Sequence, residues 1–139
     1  MAKPFKKFRV LVFDPDGEVE PLVTDILAET AYDVARPQSA DSMIETFTYQ
    51  FPFDAVVMNL NLRTSHFLDM IPVIKRISPK AEIFVLSRAA DERLWLEALE
   101  RGARDLLLMP PDRAVFRDEF LQALQGRTPG DEMLPADAA

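Results

Sequence analysis

The chain has 139 residues, enough for one domain, and its 48% hydrophobic and 28% charged residues can bury a real core. A net charge of −7 argues against direct contact with nucleic acid, where affinity comes from Lys and Arg, and the absence of cysteine excludes disulfides, thiol catalysis and Cys-based zinc sites. The basic start MAKPFKKF leads into no signal-peptide core and no apolar run approaches the ~20 residues of a membrane span, so a cytoplasmic protein with no membrane partner is expected.

Residues 1–8 form a basic lead-in, and residues 9–13, RVLVF, read as the first strand. Val19, Leu22, Val23, Ile26 and Leu27 then recur at helical spacing. A second strand is predicted over 33–35, and a second helix over 42–49 with Ser39 or Asp41 as its cap. Residues 55–58 read as a strand. A helix follows over 69–77 with Pro72 in its first turn, since a proline deeper inside costs about 3 kcal/mol. Residues 83–86 form the fourth strand. The fourth helix runs over 91–101 and stops at Gly102, which suits a left-handed cap. A fifth strand at 105–108 and a fifth helix at 112–125 close the pattern. Residues 126–139, GRTPGDEMLPADAA, lose the apolar period and read as a flexible tail or linker stub after a domain at 9–125.

Strands alternating with helices imply right-handed crossovers and a parallel sheet covered on both faces. VLVF, AVVM and IFVL are apolar on both sides, as such a sheet requires. The fold class is α/β: a flavodoxin-like, doubly wound, five-stranded parallel sheet with five helices, (βα)5. Ligand sites in these folds lie beyond the carboxyl ends of the strands. Those ends carry Asp14 and Asp16, Asn59 and Asn61, and Ser87 and Arg88.

VFDPDG by itself resembles the first motif of haloacid-dehalogenase-like phosphatases, and FVLS resembles their second. That resemblance implies a phosphoryl-handling enzyme in which Asp14 attacks phosphorus and Asp16 works as acid-base. The chemistry also needs a Lys and a downstream acidic pair for Mg²⁺. No lysine follows Lys80, and Glu18 stands where that family has Thr. This is the alternative reading.

The fuller match is to the receiver domain of bacterial response regulators in two-component signalling. RVLVFDPDGEVEPLVTDIL is similar to its first strand, acidic turn and first helix; FDAVVMNLNL to the strand of the phosphoacceptor; AEIFVLS to the fourth strand; LEALERGARDLLLMPPD to the fourth helix and fifth strand. The resemblance spans residue 9 to about residue 125. It implies that the phosphoacceptor Asp falls on Asn59, the two Mg²⁺-binding acids on Asp14 and Pro15, the Lys before the cis-proline Pro110 on Met109, and the aromatic switch residue on Leu106. Ser87 keeps the place of the family's Ser or Thr. An amide is a far poorer nucleophile than a carboxylate, Mg²⁺ seeks anionic oxygens, and Met109 has no charge for a phosphoryl group. The implied protein is a pseudo-receiver: no catalytic residue, no cofactor, Mg²⁺ binding weak or absent, and an acidic pocket of Asp14 and Asp16 that is vestigial, with Asp16 as the cap of the first helix.

Plainer roles stand beside these. Asp14 either holds loop amides or binds a metal; Asn59 anchors its loop; Ser87 caps a loop; Met109 fills the core over the emptied pocket. His66, the sole histidine, reads as a solvated loop residue without a second ligand. In the fourth helix Leu94, Trp95 and Ala98 read as one buried stripe, Leu96 points the other way and Leu99 lies at the flank. The resemblance implies a protein partner or a homodimer on the face of the fourth helix, fifth strand and fifth helix. Trp95, Leu96 and Leu99 would be its apolar part, with Arg101 and Arg104 on the rim. Scattered surface leucines are the alternative.

Overall fold

The structure, a computed structural model, describes residues 8–28, 32–50, 52–60, 68–88 and 92–124. Five strands and five helices alternate: β1 (Phe8–Phe13), α1 (Glu20–Ile26), β2 (Tyr32–Ala35), α2 (Ala40–Gln50), β3 (Ala55–Asn59), α3 (Met70–Ile77), β4 (Glu82–Ser87), α4 (Glu92–Arg101), β5 (Asp105–Leu108) and α5 (Arg113–Leu124). The strands form one parallel sheet in the order β2-β1-β3-β4-β5. This is the expected doubly wound (βα)5 fold.

Strand alternation sorts the apolar side chains into two layers. Leu11, Phe13, Val56, Met58, Ile83 and Val85 face α2, α3 and α4, meeting Met43, Phe47, Ile71, Ile74 and Ala98. Val10, Val12, Val57, Phe84 and Leu86 face α1 and α5, meeting Val23, Ile26, Phe116 and Phe120. Phe84 sits against Phe116 and Phe120, with ring centroids 5.9 and 5.4 Å away. β3 is central and buried along its whole length.

β1 and β2 each begin one residue earlier than expected, at Phe8 and Tyr32, and β3 and β4 extend past their apolar runs. Asn59 pairs with Leu86, and Ser87 with Leu108, although neither polar residue carries a hydrophobic signal. The backbone ladder continues wherever a neighbouring strand supplies partners. At the opposite end Asp54, also polar and buried, accepts the Arg9 N–H through Oδ2 at 2.8 Å and ties β1 to β3.

Helix ends follow local chemistry. Ser39, rather than Asp41, caps α2: its Oγ accepts the Ser42 N–H at 3.0 Å, while Asp41 lies in the first turn. Pro72 is third in α3, where an N–H has no intrahelical partner to lose. Gly102 ends α4 at φ +115°, and its N–H bonds the Leu99 carbonyl at 3.0 Å. A Cβ there would stand 3.0 Å from Lys75 Cγ.

Candidate functional site

β3 lies between β1 and β4, so its last residue, Asn59, ends at the same carboxyl edge of the sheet as Asp14, just after β1, and Ser87, the last residue of β4. All three are buried. Asp14 is a hub. Its Oδ2 accepts the N–H groups of Val19 at 2.7 Å and Glu20 at 2.8 Å, and its Oδ1 accepts Asn59 Nδ2–H at 2.8 Å. The role expected of Asp16 therefore belongs to Asp14. The N-cap residue of α1 is Val19, which has no capping side chain, and its orphan N–H groups are satisfied from within the preceding turn. Asp16 is exposed. The turn closes with Gly17 N–H on the Asp14 carbonyl at 2.9 Å, Pro15 in its second position and Gly17 at φ +70°.

Asn59 is only half satisfied. A carboxylate can accept but not donate, so the amide must turn its NH₂ to Asp14. Its Oδ1 is then left buried with no partner among the described residues. Met109 and Leu106 are buried in opposite layers, Met109 under α1 and α5, Leu106 under α2 to α4. Met109 is thus core packing on the α1–α5 side. The Met109–Pro110 bond is cis, and Met109 N–H bonds the Ser87 carbonyl at 2.9 Å. His66 and Asn61 lie outside the described residues, as does the tail at 126–139.

A feature the sequence reading missed joins the loops above the site. Arg88, next after Ser87, forms an ion pair with Glu18 of the β1–α1 turn. The pair links the loops of β1 and β4 past the end of β3, a reach of two strand spacings of about 4.8 Å each. Residues 70 apart in the chain carry no local signal of such a contact.

The second region is the face of α4, β5 and α5. Leu96 is 47% exposed, Leu108 57% and Val115 57%, while Leu99 is half-buried. Trp95 does not belong to the core stripe. It is 40% exposed, and its Nε1–H donates to Asp105 Oδ1 at 2.9 Å, so the indole lies on the β5 flank. Ala98 alone on α4 is fully buried, with Leu94 packed at the edge. Arg101 turns towards α3, 3.5 Å from Asp69, and Arg104 meets Glu82 at 3.4 Å. Both of these charges are engaged in ion pairs with neighbouring elements.

Burial, then hydrogen bonding to the Asp105 carboxyl and the charge of Asp105, push the Glu119 carboxyl of α5 up from 4.5 to about 7, against the opposing pull of Arg104. Nothing in the spacing of residues 105 and 119 announces this pair.

A parallel (βα)5 sheet with an acidic turn, a polar strand end and a cis-proline loop at its carboxyl edge defines a class of signalling domain. The sequence profile of the response regulator receiver domain matches residues 10–120, and the chain belongs to that family. It is 29% identical over 110 residues to the chemotaxis protein CheY of Thermotoga maritima, covering 77% of this chain and 91% of that one. It is 30% identical over 129 residues to the DNA-binding transcriptional regulator NtrC of Azospirillum brasilense, covering 93% of this chain but only 26% of NtrC. Among solved structures, a response regulator from Thermotoga maritima superimposes with a TM-score of 0.75 at 20% identity, covering 86% of this chain and 99% of that one. The chain is a receiver domain of signal transduction. Among the described residues no helix is long and apolar enough to cross a membrane.

Proposed function

We propose that this receiver domain works without aspartyl phosphorylation, as a module that binds a protein partner or a second copy of itself through the face of α4, β5 and α5. The observation that carries the reading is the Asn59–Asp14 hydrogen bond of 2.8 Å. An amide stands at the end of the central strand, where the family's nucleophile is expected, and it is spent on the neighbouring acid. A neutral amide does not form an acyl phosphate.

The surroundings support the same reading. Mg²⁺ takes near-octahedral oxygen ligands, often one or two carboxylates with water. Here the donor set does not fit: one carboxylate already accepts three internal hydrogen bonds, its neighbour is Pro15, and the next oxygen is an amide's. Met109 and Leu106 are buried apolar groups with no charge or hydroxyl to answer a phosphoryl group. The same hydrogen bonds argue against Asp14 as a dehalogenase-like nucleophile, since both oxygens are engaged. Signalling then rests on the exposed Leu96, Leu108, Val115 and Trp95, with no catalytic step, cofactor, nucleic acid or membrane required.

The test is incubation of the full chain with acetyl phosphate and Mg²⁺, followed by intact mass, beside a receiver that bears the acceptor Asp. The expected result is no added mass. A gain of one phosphoryl group would overturn the proposal, and peptide mapping would assign it to Asp14 or elsewhere.

A further inference from the structure

Glu18 and Arg88 form their ion pair from opposite sides of the central strand, and the backbone of each is rooted in the buried trio of Asp14, Asn59 and Ser87. Glu18 directly precedes Val19, whose N–H donates to Asp14 Oδ2 at 2.7 Å. Arg88 directly follows Ser87, the last residue of β4, which pairs in register with Leu108 of β5. Between them β3 comes to its end: Asn59 donates to Asp14 Oδ1 at 2.8 Å, and Leu60 N–H bonds the Leu86 carbonyl at 2.7 Å. Glu20, two residues beyond Glu18, is held by Arg36, which leaves Glu18 to Arg88.

We propose that the Glu18–Arg88 pair is an ionic strap that crosses the end of β3 and holds the carboxyl edge closed over Asp14, Asn59 and Ser87. β1 and β4 are not neighbours in the sheet, so the strap joins two loops that no strand ladder joins. What it closes has a reason to open. Asn59 Oδ1 is a buried acceptor with no partner among the described residues, and such an atom gains when water reaches it. The strap opposes that gain. Its own strength is modest, because both side chains reach solvent and an exposed ion pair is screened by salt. Two small opposing effects make the edge a salt-sensitive closure: shut while Glu18 holds Arg88, hydrated when the pair parts.

The test follows hydrogen exchange of the Asn59 side-chain NH₂ and the Leu60 N–H by NMR in the full chain, both groups being remote in sequence from residues 18 and 88. Arg9 N–H, bonded to Asp54 at the opposite edge of the sheet, is the internal control. Glu18→Gln and Arg88→Gln are each expected to speed exchange of the two reporters about threefold, in the range of an exposed ion pair, and to leave Arg9 unchanged. The charge-swapped double variant, Glu18→Arg with Arg88→Glu, is expected to return to the wild-type rate, and about 1 M salt to bring the wild type to the rate of the single variants. Reporters that keep the wild-type rate in both single variants overturn the proposal, as does a wild-type rate that salt leaves unchanged. A swapped double variant as fast as the singles overturns it too, and so does an Arg9 N–H that speeds up by the same factor as the reporters, which would place the effect in overall stability.

Discussion

Asn59 Nδ2 stands 2.8 Å from Asp14 Oδ1, which makes the end of the central strand a hydrogen-bond donor to the acidic turn beside it. The two residues are 45 positions apart and meet only because β3 runs between β1 and β4. The bond neutralises part of the demand of a buried carboxylate. It also turns Asn59 Oδ1 into a buried acceptor with no partner among the described residues.

Asn59→Asp is expected to reverse that attraction. Two carboxyls at hydrogen-bond distance cannot both ionise freely, so the variant should lose roughly 1–3 kcal/mol of stability at pH 7 and recover part of it in mild acid. It should not accept phosphate from acetyl phosphate, because Pro15 and Met109 are unchanged. Chemical denaturation at two pH values and intact mass check both halves. The triple variant with Pro15→Asp and Met109→Lys is the positive control.

Asp14→Ala removes the partner of two N–H groups at the start of α1 and of the Asn59 amide. All three lie in buried or partly buried surroundings, so the expected loss is roughly 2–4 kcal/mol by urea denaturation. Asp16→Ala should cost far less, since α1 is capped by Asp14. Equal losses in the two variants would show that the turn is organised differently.

Stability should follow the Glu119 proton. Its carboxyl is raised from 4.5 to about 7 on folding, by burial and then by Asp105. The stability it contributes is therefore fully present below about pH 4.5 and lost as pH rises through about 7. Glu119→Gln should hold its stability across that window while the wild type declines. Parallel denaturation curves at pH 5 and pH 8 give the comparison.

Leu96 and Leu108 are exposed and apolar on the proposed binding face. Changing both to Glu should leave the melting temperature within a few degrees, because neither supports the core. Any concentration-dependent rise in molar mass by light scattering, or capture of a partner, should disappear. A wild type that is monomeric at every concentration and binds no partner that the variant loses would remove the basis for this surface.

Gly102→Ala probes the turn after α4. Its φ of +115° is strained for any residue with a Cβ, and that Cβ would stand 3.0 Å from Lys75 Cγ. The expected cost is roughly 1–3 kcal/mol, read from the shift in denaturation midpoint.

Most of the architecture was legible because its signals are local. The apolar run of β1, the 3.6-residue recurrence of α1, the place of Pro72 in α3 and the stop at Gly102 each depend on neighbours a few positions away. Strand ends were legible only as far as hydrophobicity reached, which is why Asn59, Glu82 and Ser87 extend the strands beyond their apolar cores. The residue types at the site, an amide at 59, a proline at 15 and a methionine at 109, were equally plain.

What each of those side chains touches was decided by tertiary structure. Asp16 looked like the cap of α1 by its nearness in sequence, yet the fold turns Asp14 to the task. Trp95 shares a helical face with the core by spacing alone, but the position of β5 offers its N–H the Asp105 carboxylate, so it stays at the surface. Arg101 reaches Asp69, Arg88 reaches Glu18, and Glu119 reaches Asp105 across loops and crossovers whose paths no local pattern encodes. Periodicity is a property of consecutive residues and fixes the element; the partner of a polar side chain is set by strand order and register, and exists only once the sheet has formed.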